Sequence, residues 1–403
     1  MPHTAQQGSD KLAAIVVNPV KVDTDALRAA AAESAERYGW PEPLWFETTV
    51  DDPGAGQTKE AVAAGATMVI AAGGDGTVRL VAETLAGGDV ALGVVPGGTG
   101  NLLARNIGIE VAGGVTDTVS EMVQNASTLL PGAKPSNLPM TTLARAVEVA
   151  FGGVDARIDL GWATVEREDK TRERMAFTVM GGVGVDAGMI ANTSEDLKKK
   201  VGWVAYLGGI ARSVANGPNF HLRLRVDGKA HARSLRAATV MVGNCGLMPG
   251  GLHLLPDAEI DDGRLDLAIM RPNGLLGWLQ IYARIVVQSG IMRRTDVGRR
   301  ILLQGRKRVR ALTYAQVEEV TFRLDSGPEE FEVDGDAAGQ ITAARIWIEP
   351  DSLTVRTPKP IPENEGLRTL ARRLGLAPEE DTPRPLKEEA RTEEARTEQA
   401  AAR

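Results

Sequence analysis

The first hundred residues alternate between short, unbroken apolar runs and longer stretches with helical spacing. Leu12 to Val17 is the first run, and Asn18-Pro19 ends it, so a strand meets a turn. Thr24 to Tyr38 is alanine-rich, helical in spacing, and stops at Gly39. Pro43 to Thr49 predicts a second strand, Thr58 to Ala64 a helix, and Thr67 to Ala72 a strand that runs into Gly73-Gly74. Val78 to Leu85 predicts a helix closed by Gly87-Gly88, and Ala91 to Val95 a strand ended by Pro96-Gly97-Gly98. A further helix is predicted from Asn101 onward. Strands that are apolar at every position, separated by helices, imply a parallel sheet covered on both faces.

Beyond about residue 145 strand-like runs dominate: Ala144 to Val149, Ile158 to Val165, Met175 to Met180, His221 to Val226, Ala237 to Val242, Leu265 to Ile269, Val317 to Leu324, Phe331 to Val333 and Ala344 to Glu349. Turn residues separate them, with Asp227-Gly228 the clearest hairpin signal. Helical inserts are expected near 195–214 and 274–290. The pattern predicts an α/β domain over 11–140 and a mostly antiparallel β domain over 141–357, whose last strands are free to return to the first domain. Pro131 to Pro139, rich in Pro, Gly and Ser, is the expected boundary. From Pro358 the chain turns to charge and proline, and Glu388 to Thr392 repeats as Glu393 to Thr397. Such a segment has too few apolar residues for a core, so 358–403 is expected to be a disordered tail.

Composition narrows the classes. With 403 residues, 43% hydrophobic and 25% charged, the chain is long and apolar enough for globular domains. A net charge of -7 gives no reason to expect a nucleic-acid partner. Cys245 stands alone, so no disulfide forms within the chain, which suits a reducing cytosol. Met1 to Lys11 lacks a signal-peptide pattern, and no run reaches the roughly 18–20 apolar residues of a membrane span. The expectation is a cytoplasmic protein that touches a membrane only from its surface.

The candidate chemistry begins at Gly73-Gly74-Asp75-Gly76-Thr77, between a buried strand and a helix. Parallel sheets bind ligands at that edge. Glycines let backbone approach a polyphosphate, and the helix N-terminus offers free N–H groups. Asp75 would repel phosphate unless a cation lies between, so a Mg²⁺ role is the natural reading, with a simple helix cap as the alternative. Pro96-Gly97-Gly98-Thr99-Gly100-Asn101 follows the next strand and makes a second wall of one crevice. Thr99 and Asn101 can hydrogen-bond a nucleotide or its phosphates. Asn18-Pro19 offers a third wall. There is no Walker-type Gly-Lys-Ser/Thr sequence.

These segments resemble the diacylglycerol kinase catalytic family, which also holds sphingosine kinases and bacterial lipid kinases. The resemblance rests on Asn18-Pro19, Gly73 to Thr77, Pro96 to Arg105, Leu254 to Ala258 leading to Asp261-Asp262-Gly263, and Val333 to Asp336. It implies a nucleotide domain of the NAD kinase and phosphofructokinase type, joined to a mostly antiparallel domain. It further implies ATP against Asn18, Pro19, Thr48, Gly73, Gly74, Asp75, Gly76, Thr77, Gly98, Thr99 and Asn101. Asp262 would hold a structural Mg²⁺ beside the carbonyls of Glu259 and Arg264, although the residues alone favour a plain turn at Asp261-Asp262-Gly263. The proton acceptor would be Asp336, with Asp334 and Asp75 as alternatives; two residues apart in a strand, Asp334 and Asp336 are expected on one face. The implied reaction is ATP-dependent phosphorylation of a lipid hydroxyl, diacylglycerol first among acceptors.

Three departures stand out from that family pattern: Arg79 and Leu80 after the first motif, Leu102 after the second, and Val20-Lys21-Val22 in place of a Gly-rich first turn. Lys21 is either a phosphate partner or a solvated cation. The apolar run Leu275 to Val287, carrying Trp278 and Tyr282, precedes a basic stretch from Arg293 to Arg310. That combination suits docking on anionic lipid, with a packed helix and a solvated loop as the alternative. Gly181 to Asp186 is expected in the cleft wall for the acceptor. A homodimer stays open, as do an NAD kinase-like enzyme and a non-catalytic lipid-binding homologue.

Overall fold

The computed structural model describes residues 11–111, 141–184 and 219–359, apart from 230, 250–251, 275–276, 279, 282–283 and 286–310. The expected boundary at Pro131 to Pro139, the insert at 195–214, the basic stretch and the tail beyond Lys359 lie outside the described residues, as does part of the 274–290 insert.

The opening half follows its apolar runs. β1 (Ala13–Val17), β3 (Met68–Gly73) and β4 (Ala91–Pro96) are buried along almost their whole length, and β2 (Leu44–Glu47) lies at the edge. They run parallel in the order β2-β1-β3-β4. Helices α1 (Thr24–Tyr38), α2 (Ala55–Ala63), α3 (Asp75–Leu85) and the five-residue α4 (Leu102–Asn106) connect or follow them. α1 is capped by Asp23, which accepts from the amides of Asp25 and Ala26, and ends at Gly39 in the left-handed region.

α5 (Thr142–Gly152) corrects the strand expected at Ala144 to Val149. Thr141 caps it by accepting from the Ala144 amide, and Ala146, Val147, Ala150 and Phe151 form one buried helical stripe. The six residues Ala144 to Val149, four of them apolar, are too few to separate the two periods, and the cap and the stripe decide for a helix.

The remaining strands are β5 (Val154–Glu166), β6 (Arg172–Phe177), β7 (Met180–Val183), β8 (Phe220–Val226), β9 (Arg233–Ala237), β10 (Thr239–Gly243), β11 (Leu247–Met248), β12 (Leu252–His253), β13 (Leu265–Met270), β14 (Leu312–Val317), β15 (Glu319–Leu324), β16 (Glu329–Val333), β17 (Asp336–Ile341) and β18 (Ala343–Thr357). The run expected as one strand at Met175 to Met180 is broken between β6 and β7, which belong to different sheets. Val317 to Leu324 likewise divides between β14 and β15.

β18 joins the two halves. It lies parallel to β4 through Val355 and Leu92, and antiparallel to β5 and β15. The parallel strands thus continue into one ten-stranded sheet, β2-β1-β3-β4-β18-β15-β8-β9, with β5 and β6 on the side of β18. A second sheet is antiparallel, in the order β14-β13-β10-β7-β16-β17. Phe177, Phe220, Phe322 and Phe331 fill the core between the sheets. The chain is therefore an α/β unit with a parallel sheet, followed by a mostly antiparallel β sandwich. No described helix is long and apolar enough to cross a membrane.

Candidate active site

The glycine-rich turns meet at the carboxyl edge of β1, β3 and β4. The Gly97 amide donates to the Gly73 carbonyl at 2.8 Å, which ties the second turn to the first. α3 begins at Asp75 without any side-chain cap, because Gly74 precedes it. Its first amides therefore face the crevice unpaired by the helix.

Asp75 caps a different helix. Its carboxylate accepts from the amides of Asn101 at 2.8 Å and Leu102 at 2.5 Å, at the start of α4. Burial pushes its pKa up to about 6; the amide of Leu102 opposes that rise, and Asp334 and Asp336 nearby add to it. Asn101 adopts φ 46°, and its side chain is spent inside its own turn. Oδ1 accepts from the Gly98 amide at 2.9 Å, and Nδ2 donates to the Gly98 carbonyl at 2.6 Å. These bonds show Asn101 shaping its own turn, beside the role toward a nucleotide expected of it. Thr99 is exposed at the tip.

Asp334 and Asp336 do not share a face. Asp334 and Gly335 have φ of 50° and 89° and form the two-residue turn between β16 and β17, where Val333 pairs with Asp336. Asp334 is turned inward and buried. Its carboxylate accepts from the Thr178 amide at 2.7 Å, the Thr178 hydroxyl at 2.9 Å, and the amides of Val179 at 2.8 Å and Met180 at 2.9 Å. Burial raises its pKa and these bonds oppose the rise. With four donors around it, Asp334 holds the β6–β7 break to the hairpin. Asp336 is exposed and stands over the first turn: a methyl group added at Gly76 would lie 2.7 Å from its Oδ2. Thr178 went unnoticed in the sequence, since its partner lies 156 positions away.

The flanking candidates divide. Thr48 and Thr77 are buried, and the Thr48 amide donates to the Val17 carbonyl at 2.9 Å. Asn18 folds the first turn: its Oδ1 accepts from Val20 at 3.1 Å and its carbonyl from Lys21 and Val22, both at 3.1 Å. Pro19 is exposed beside it.

A small apolar groove opens beside these acids. Leu102 of α4, Met180 to Val183 of β7, Thr239 to Met241 of β10 and Met248 line it, together with Glu332 and Gly335. Gly181 and Gly182, expected in a cleft wall, are part of this lining; Val185 and Asp186 lie outside the described residues.

The second acidic turn is separate. Asp262 is exposed, and its Oδ1 accepts from the Arg264 amide at 2.9 Å, closing its own turn. Glu259 and Arg264 are exposed as well. The buried Asp159 accepts from the amides of Gly263 at 2.6 Å and Asp351 at 2.8 Å and anchors that turn to β18. Burial pushes the pKa of Asp266 up to about 6, with Asp257, Asp262 and Glu259 adding negative charge around it. Among the described residues no group of three or more His, Cys, Asp or Glu is arranged to hold a metal ion.

Comparison with known proteins agrees with this arrangement. The diacylglycerol kinase catalytic domain family matches residues 13–130, and the YegS C-terminal NAD kinase beta sandwich-like domain family matches residues 178–357. A "Probable lipid kinase YegS-like" of Pseudomonas fluorescens (strain Pf0-1) is 31% identical over 285 residues, covering 68% of this chain and 76% of the relative. One of the same description from Pseudomonas aeruginosa (strain UCBPP-PA14) is 32% identical over 286 residues, 69% of this chain and 73% of the relative. In fold, the crystal structure of a diacylglycerol kinase from Bacillus anthracis str. Sterne covers 86% of this chain and 97% of its own, with a TM-score of 0.56 and 18% identity. The chain belongs to the YegS-like family, which joins a diacylglycerol kinase catalytic domain to an NAD kinase-like β sandwich.

Proposed function

We propose that this chain transfers the γ-phosphoryl group of ATP to a lipid hydroxyl, with diacylglycerol as the acceptor and phosphatidic acid as the product. The observation that carries the proposal is the junction of the apolar groove with the glycine turn. Gly335 lines the groove, and its neighbour Asp336 stands over Gly76 at the uncapped start of α3. An acyl chain in the groove would leave its glycerol hydroxyl beside a carboxylate and a polyphosphate site. The relatives named probable lipid kinases support the same acceptor class.

In this reading the triphosphate lies along the first amides of α3, between the Asn18 turn and Thr99. The acceptor oxygen attacks the γ-phosphorus, its proton passes to Asp336, and the bond to the β–γ bridging oxygen breaks to release ADP. Asp75 holds α4, and with it Leu102 in the groove wall. The donor set is hard oxygen, and Asp334 and Asp336 lie close enough to Asp75 to add negative charge around it, which fits a hard cation. Asp75 and Asp336 would hold Mg²⁺ there, and it would supply charge neutralisation between carboxylates and phosphate. Asp262 and the carbonyls of Glu259 and Arg264 would hold a structural Mg²⁺, with Asp257 and Asp266 nearby. The reaction is proposed for the cytoplasmic surface of an anionic bilayer.

The test is transfer of label from γ-³²P-ATP by the full chain to diacylglycerol, ceramide, sphingosine and NAD. Labelled diacylglycerol is expected. Label in ceramide or sphingosine alone keeps the lipid kinase and overturns the acceptor. Label in NAD alone, or in nothing, overturns the lipid reading.

A further inference from the structure

We infer that Lys21 is the phosphate-reading group of the first turn, taking over from the turn's own amides. The inference rests on the ATP site proposed above. A turn that cradles phosphate does so with free N–H groups. Here those groups are spent. The Val20 amide donates to Asn18 Oδ1, and the amides of Lys21 and Val22 both donate to the Asn18 carbonyl. In the second turn the Gly97 amide is likewise committed to Gly73 and the Gly98 amide to Asn101. What the first turn presents to the crevice is a side chain.

The Lys21 ammonium lies directly over the first glycine turn. A methyl group added at Gly74 would sit 2.6 Å from Nζ. Its backbone is held by the Asn18 carbonyl, which accepts from the Lys21 amide, and its side chain is exposed. Lys21 forms no ion pair with any described residue. Asp75, the nearest acid in sequence on that turn, directs its carboxylate to the α4 amides instead. The ammonium therefore faces the positive end of α3, which begins uncapped at Asp75. Asp336 stands over the neighbouring Gly76, and beside it an ammonium and a free helix N-terminus together still favour a further anion. A polyphosphate supplies that anion. Lysine acts here as a point charge on a flexible stem, so it can follow the β- and γ-phosphates without imposing a fork geometry. Lys21 is a positioning residue for the triphosphate and takes no proton.

The experiment is calorimetric titration of the full chain with ATP, ADP and AMP in the presence of Mg²⁺, for wild type, Lys21→Met and Lys21→Arg. Loss of one charge-assisted contact predicts ATP binding weakened about tenfold in Lys21→Met, with AMP affinity changed less than about twofold. Lys21→Arg is expected to recover most of the ATP affinity. An exposed lysine with a merely structural role would leave the ATP-to-AMP ratio unchanged, and that result overturns the assignment while the ATP site stands. No nucleotide binding by wild-type protein overturns the ATP site itself, and the lysine assignment with it.

Discussion

Two aspartates separated by one glycine do opposite work. Asp334 accepts four hydrogen bonds in the dark of the fold, whereas Asp336 has none of these and faces the crevice. Asparagine in place of Asp334 would turn one acceptor into a donor among donors. Asp334→Asn is therefore expected to cost about 2–3 kcal/mol of stability, read from urea unfolding midpoints. Asp336→Asn should unfold like wild type, while its turnover number falls by roughly 10²–10⁴ if the carboxylate accepts the acceptor's proton. Similar turnover in wild type and Asp336→Asn would remove it from the chemistry. The distinction was partly legible in the sequence. Asp334-Gly335 is an Asp-Gly turn of the kind that reverses a hairpin, and turn geometry cancels strand alternation across it. The inward direction of Asp334 was not legible, because Thr178, Val179 and Met180 carry no signal of a distant anion.

At the scale of elements, α4 is short enough to depend on one external carboxylate. Five residues make a marginal helix, and its first amides rest on Asp75. In Asp75→Ala, hydrogen exchange at Asn101 and Leu102 should accelerate, and the groove wall at Leu102 should loosen with it. Acid should have the reverse of its usual effect on this element. Asp75 titrates near pH 6 in the folded chain against 3.8 ordinarily, so the folded state binds the extra proton between those values. Metal-free protein should accordingly gain stability from this group as pH falls from 7 towards 5. Asp75→Asn should lose that part of the slope in thermal melts; an identical slope would show that Asp75 titrates elsewhere. Element type was readable wherever periodicity and length agreed, as in β1, β3, β4 and α1. It failed at α5, where a six-residue stretch with four apolar positions is too short to separate the periods, and at the β6–β7 break, which a long-range hydrogen bond imposes.

The whole molecule turns on β18. Local pattern separated an α/β half from a β half, and each half has the predicted character. Pattern could not show that Val355 pairs with Leu92 and closes the open edge of β4. Without β18 that buried strand would become an edge of the sheet. β18 is also clamped in the other half, through β5, β15 and the Asp159 bond to Asp351. The two halves should therefore unfold together. Single-tryptophan variants keeping only Trp45, at the far edge of the parallel strands, or only Trp347, on β18, would report each half separately. In each variant the fluorescence midpoint in urea should coincide with the far-ultraviolet dichroism midpoint. Two separated transitions would mean that the halves are independent domains despite the shared sheet. Coincident ones would mean that a weakened β18, for example by Leu353→Ala at its fully buried centre, lowers the nucleotide crevice and the apolar groove by the same increment.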